Sequence, residues 1–144
     1  MKREGEPQMR GEIGNPTEQE WRNEIADILA NAAVKINTIE EEAKTALSTG
    51  DAATYEAKYR EKGEELVSLP DRVRALAANL DRDTERRLML DIDSFAREAS
   101  NALNEKNPKM MVGLLSYLLS RKGSEIGDKN MLEELADGLR QGQE

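Results

Sequence analysis

The stretch NPKMMVGLLSYLLSRKG, residues 107–123, decides how the chain is read. Ten of its residues are Met, Val, Leu, Tyr or Gly, in a protein in which 35% of residues are charged. Three readings compete: a membrane segment, the centre of a core, or a partner-binding surface. Its longest apolar run, MMVGLLSYLL, has ten residues, whereas a spanning helix needs about 20. The membrane reading therefore fails on length. Asn107 is a good helix cap and Pro108 suits the first helical position. Gly123 is the expected stop, so the segment reads as one nearly all-apolar helix.

Working outward, the same grammar recurs. TEQE at 17–20 is a capping-box pattern with Thr17 as cap and Glu20 reaching back. Trp21, Ile25, Ile28, Ala32, Ile36, Ile39, Ala43 and Ala46 then follow at steps of three and four, the helical period. This helix should end near Ser48, where Thr49-Gly50 stops it, and should be roughly 45–50 Å long. Asp51 caps a second helix carrying Ala52, Tyr55, Tyr59 and Leu66. Pro70 lacks a backbone donor and disfavours helix at Leu69, so a kink or restart is expected there, with Ser68 as the new cap. Val73, Leu76, Ala77 and Leu80 continue the stripe. After a break at DRDT, 81–84, Leu88, Ile92, Phe95, Ala99 and Leu103 mark a third long helix. Ser124–Asp128 reads as a loop. Met131, Leu132, Leu135 and Leu139 mark a short last helix.

No segment alternates as a strand does. The expected fold is all-α: an antiparallel helical bundle of five or six helices, built from two helical hairpins plus a short C-terminal helix. Residues 17–144 form one domain. Residues 1–16, with three glycines and two prolines among charges, read as a disordered lead or an appended remnant, and their lack of an apolar run predicts no signal peptide. A weak repeat runs through the domain. At an offset of 56, Ala43 pairs with Ala99, Ala46 with Ala102, Leu47 with Leu103 and Asp51 with Asn107. Either duplication or the common needs of a helical hairpin accounts for it.

Composition narrows the function. The net charge is −8, with 13 acids and 8 bases over 17–80 but 7 and 8 over 81–123. So acidic a chain argues against general nucleic-acid binding and against anionic membranes. With no cysteine and no histidine, thiolate chemistry, the commonest metal ligand and the commonest general base are all missing. A cytoplasmic protein without metal or cofactor is expected. Asp81, Asp83, Asp91 and Asp93 are interleaved with Arg82, Arg86 and Arg87 and lack the glycine and closing glutamate of a calcium loop; they read as a solvated face. Glu40-Glu41-Glu42 and Glu64-Glu65 would need burial to act as acids or bases. They read as exposed, so no enzyme is expected.

From Asn107 on, the chain resembles the C-terminal helical, lid-like region of bacterial DnaK-type heat-shock chaperones. The shared features are Asn107-Pro108, Gly113-Leu114, Tyr117-Leu118, Asp128, Leu135, Gly138, Arg140 and Gly142. The hairpin AKTALSTGDAATYEAKYREKGEEL is similar to the helical grammar of that family, so the resemblance covers about residues 40–144. Met110 and Met111 stand where aromatics are usual, and Leu115 where Phe would be. There is no Gly-rich phosphate loop. The resemblance implies a detached helical lid-like or helper domain without ATPase activity, with a client-binding role.

A helix apolar on more than one face is buried on several sides. The 107–122 helix is therefore expected to be central, ringed by the others, or to turn its spare face to a partner. The leading expectation is a non-enzymatic interaction module that binds a peptide, client or partner protein through an apolar groove. Met110, Met111, Leu114, Leu115, Tyr117, Leu118 and Leu119 would form it, with Tyr55 and Tyr59 opposite. The alternative is a structural subunit of a larger assembly, self-associating through helix 17–48, with a homodimer as its simplest form. A third is an RNA-associated subunit using Arg72 and Arg74, or Arg82, Arg86 and Arg87.

Overall fold

The computed structural model describes residues 17–120 and 129–142. Among them the chain forms five helices and no strand: α1 (Glu18–Ser48), α2 (Ala52–Ala77), α3 (Arg82–Leu103), α4 (Pro108–Tyr117) and α5 (Met131–Arg140). The all-α bundle expected from periodicity is what forms. The proposed lead 1–16 and the loop 124–128 lie outside the described residues.

The caps of α1 and α2 are where the sequence places them. Thr17 accepts from Glu20 N at 3.2 Å while Thr17 N donates to the Glu20 carboxylate at 2.7 Å. Gly50 turns the chain at φ +80°, a conformation that glycine adopts freely. Asp51 accepts from both the N–H and the hydroxyl of Thr54, and Asp81 does the same for Thr84.

Pro70 corrects the expected restart. α2 is one helix through Pro70, and Ser68 does not cap it; its hydroxyl instead donates back to Glu65 O at 2.7 Å. Leu66, Leu69 and Val73 are all wholly buried. Their continuous stripe outweighs the roughly 3 kcal/mol that an interior proline costs, so the described residues form five helices rather than six.

α1 and α2 run antiparallel, since Lys35 meets Glu65, Glu40 meets Lys62 and Glu42 meets Lys58. α2 and α3 do likewise, with Arg74 on Asp93 and Gly63 under Leu103. A Cβ on Gly63 would lie 2.8 Å from Leu103, so glycine lets the end of α3 approach α2 closely. α5 packs on the other side of α1, where Gln19 donates to Leu139 O and Arg140 reaches Asp27. One core joins Ile25, Leu29, Ile36, Leu66, Leu69, Leu88, Ile92, Leu132 and Leu139.

α3 ends opposite the middle of α2. The first half of α2 therefore runs on past its partner, and α4 packs into that space against α2 and α3. This places α4 at the edge of the bundle, not at its centre. The expectation of a central helix ringed by the others is corrected: Met110, Leu114 and Tyr117 are exposed.

Candidate functional site

α4 begins as its sequence dictates. The Asn107 side chain accepts from Lys109 N at 2.9 Å and Met110 N at 3.4 Å, and Pro108 opens the first turn. Its inner face sends Met111, Val112 and Leu115 into the core. Its outer face carries Met110, Leu114 and Tyr117, at 52%, 48% and 81% exposure. These three recur at i, i+4 and i+7, one side of a helix. Gly113 lies among them, exposed, with nothing within 4 Å of where a Cβ would stand. Neither a close approach nor a left-handed φ within the chain requires that glycine.

The helix stops earlier than Gly123. Leu118 leaves helical geometry at ψ 129°, and Leu119 takes φ +77°, a left-handed conformation that costs a leucine about 1–2 kcal/mol. Its compensation is visible. The Leu119 side chain is buried, and its carbonyl accepts from Met131 N at 3.1 Å, which fastens the start of α5 to the end of α4.

Lys62 explains the stop from the other side. It is wholly buried, and its Nζ donates to Glu40 Oε2 and to Leu115 O, each at 2.6 Å. The Tyr59 ring lies 5.6 Å away. Leu115 O lies in the last turn of α4, where it also accepts from Leu118 N at 3.2 Å and where a cation meets the negative end of the helix dipole. Burial pulls the Lys62 ammonium below its ordinary value, while Glu40 works to keep it charged. Lys62 thus fastens α4 to both α1 and α2. It was not among the residues singled out from sequence, although a signal was there: Tyr55, Tyr59, Lys62 and Leu66 share one helical phase.

Tyr55 and Tyr59 stand edge to face at 5.3 Å on the wall of a cleft of about 290 Å³ between α1, α2 and α4. Glu40, Glu41, Lys44, Leu47, Ser116 and Ser120 complete it. Burial holds the Tyr59 hydroxyl above its ordinary value, and Ser116 pulls the other way. The nine residues expected to form one groove are therefore divided. Met111, Leu115 and Leu119 are core; Leu118 is half-buried; Met110, Leu114 and Tyr117 share the outer face; Tyr55 and Tyr59 face Ser116 in a separate, largely polar cleft.

Several of the remaining candidates have structural partners. Asp81 is a cap, Asp83 pairs with Arg86 and Asp93 with Arg74. Glu65 is buried rather than exposed as expected, and lies between Lys35 at 3.1 Å and Arg72 at 2.8 Å. Among the described residues no group of three or more acids could hold a metal ion, and no helix is long and apolar enough to cross a membrane. Comparisons of the chain with protein-family models, with curated proteins and with solved structures found no match.

Proposed function

We propose that this protein is a non-enzymatic interaction module that binds a protein or peptide partner through the outer face of α4. One observation carries the reading: a helix anchored by a full inner face presents Met110, Leu114 and Tyr117 to solvent in a single row. Scattered exposed apolar residues are ordinary, but a contiguous row on a fixed element marks an interaction site. Helix faces of this kind receive helical partners through i, i+4 and i+7 anchors. The likeness to chaperone helical regions points the same way. The alternative, self-association through α1, has less to work with. α1 spends its apolar stripe on α2 and α5, leaving Val34 and Leu47 as its exposed large apolar side chains.

The test is a photo-crosslinking amino acid placed at Tyr117 in the producing cell, with Asn31 on the exposed side of α1 as reference. Discrete adducts at 117 and none at 31 are expected. Equal labelling at both positions, or none at either, refutes the reading.

A further inference from the structure

The lysines beside the α4 row are unlike the other described lysines. Among the described lysines, Lys35, Lys44, Lys58, Lys62 and Lys129 each face a carboxylate. The two described lysines that face none are Lys106 and Lys109, at the entry to α4. Both are exposed. This occurs in a chain with 29 acids to 21 bases, where a carboxylate is easily found. Unpaired arginines also occur, on α2 and α3, but without a row of exposed apolar side chains beside them.

Helix stability does not account for these lysines. α1, α3 and α5 carry acids in their first turn, as the positive end of a helix favours. α4 carries no acid there and has Lys109 instead. The two cations sit at the end of the helix that repels them, and among the described residues no carboxylate pairs with either. A carboxylate brought from outside would relieve both.

We infer that the partner of α4 is an acidic amphipathic helix, its apolar stripe laid along Met110, Leu114 and Tyr117 and its carboxylates at the end that meets Lys106 and Lys109. This rests on the reading of α4 as the partner surface and adds the partner's chemistry. The row from Met110 to Tyr117 is about 10 Å long at 1.5 Å per residue, so two turns of a partner helix match it. Gly113 leaves a hollow within the row, open above the backbone. A large apolar side chain of the partner fits there, which gives that glycine a purpose that no contact within the chain supplies. Charge at the rim sets orientation and partner choice, and the apolar row supplies the buried area.

The experiment is a selection from a surface-displayed library of amphipathic helical peptides against the whole chain. The wild type is compared with Leu114→Asp, Tyr117→Glu, Gly113→Leu and the double variant Lys106→Glu/Lys109→Glu. Circular dichroism of each variant controls for folding. The expected pool is enriched in Glu and Asp at one end and is lost with Leu114→Asp, Tyr117→Glu and Gly113→Leu. The lysine double variant should weaken its binding about tenfold at low salt and far less at high salt. A pool that needs Leu114 but shows no acidic bias overturns the acidic partner and leaves the α4 surface standing. If no pool depends on Leu114 or Tyr117, both readings fall. A wild-type dimer that Leu114→Asp splits, seen by light scattering, would make the occupant a second copy. Co-sedimentation with phosphatidylserine vesicles, abolished by the lysine double variant, would make it a membrane surface. Either result overturns the proposal.

Discussion

The two faces of α4 share ten residues of backbone and nearly the same composition, yet they differ in what they do. The inner face carries Met111, Val112 and Leu115, all buried. The outer face carries Met110, Leu114 and Tyr117, all exposed. Met stands next to Met and Leu next to Leu, and one of each pair is core. Side-chain type therefore does not separate packing from recognition in this helix. Position does, and position is set by the space that α3 leaves beside the first half of α2. Lys62 also fixes the backbone of the helix at Leu115 O.

This contrast can be broken most directly at the inner face. Leu115→Ala should cost about 2–5 kcal/mol, the range for a wholly buried leucine, read as a lower urea midpoint. Leu114→Ala should stay within about 0.5 kcal/mol of wild type, as for surface changes. Equal losses at the two positions would mean that the outer face is also packed, and the interaction reading would go with it.

The next effect in size is at the clasp. Lys62→Ala takes the ammonium from Glu40 and Leu115 O and also empties the space the side chain fills, and should cost about 3 kcal/mol. Lys62→Met keeps the volume and removes the buried charge, and Glu40 still reaches water. It should cost about 1 kcal/mol or less, because exchanging a buried ion for an apolar isostere is often neutral. Chemical denaturation separates the two variants. If Met is as damaging as Ala, the ammonium itself, and not the space it fills, holds α4 in place.

Acid should act mainly on the α1–α2 contact rather than on α4. Burial pushes the Glu65 carboxyl up, but hydrogen bonds from Arg72 and Lys35 outweigh it and hold the group below its ordinary value of 4.5. Its folded value is the lower one, so its contribution is present above pH 4.5 and is lost as the pH falls below that. Asp81, held at about 2 by the N–H and hydroxyl of Thr84, adds a loss of the same sign between pH 3.8 and about 2. Glu65→Gln should flatten the upper part of this acid limb in a pH series of unfolding midpoints. An unchanged limb would show that the flanking cations do not hold the carboxylate.

The smallest effect sharpens the outer face. Gly113→Ala fills open space on an exposed helix and should stabilise the fold by up to about 1 kcal/mol. A loss of stability there would show that the backbone of α4 needs glycine for an internal reason.

Much of this architecture can be read from the residues. Thr17, Asp51, Asp81, Asn107 and Asn130 cap the five helices. Thr17, Asp51 and Asn107 stand out in the sequence, because caps are local chemistry between a side chain and backbone N–H groups within three residues. The weak repeat obeys the same logic. Ala43 and Ala99 are both buried, and Asp51 and Asn107 both cap. Leu47 and Leu103 part company, however: Leu47 is exposed and Leu103 packs over Gly63.

The sequence by itself determined the class of fold, the starts of α1, α2 and α4 and the phase of the buried stripes of α1, α2 and α3, since all three follow from contacts within one or two turns. Only the tertiary structure decided that α2 passes through Pro70, that α4 ends at Tyr117, that Lys62 is a buried clasp, and which of two neighbouring methionines and leucines faces water. Each of those outcomes depends on a partner far away in the chain, Leu115 O for Lys62 and the end of α3 for α4. Periodicity carries no information about such partners.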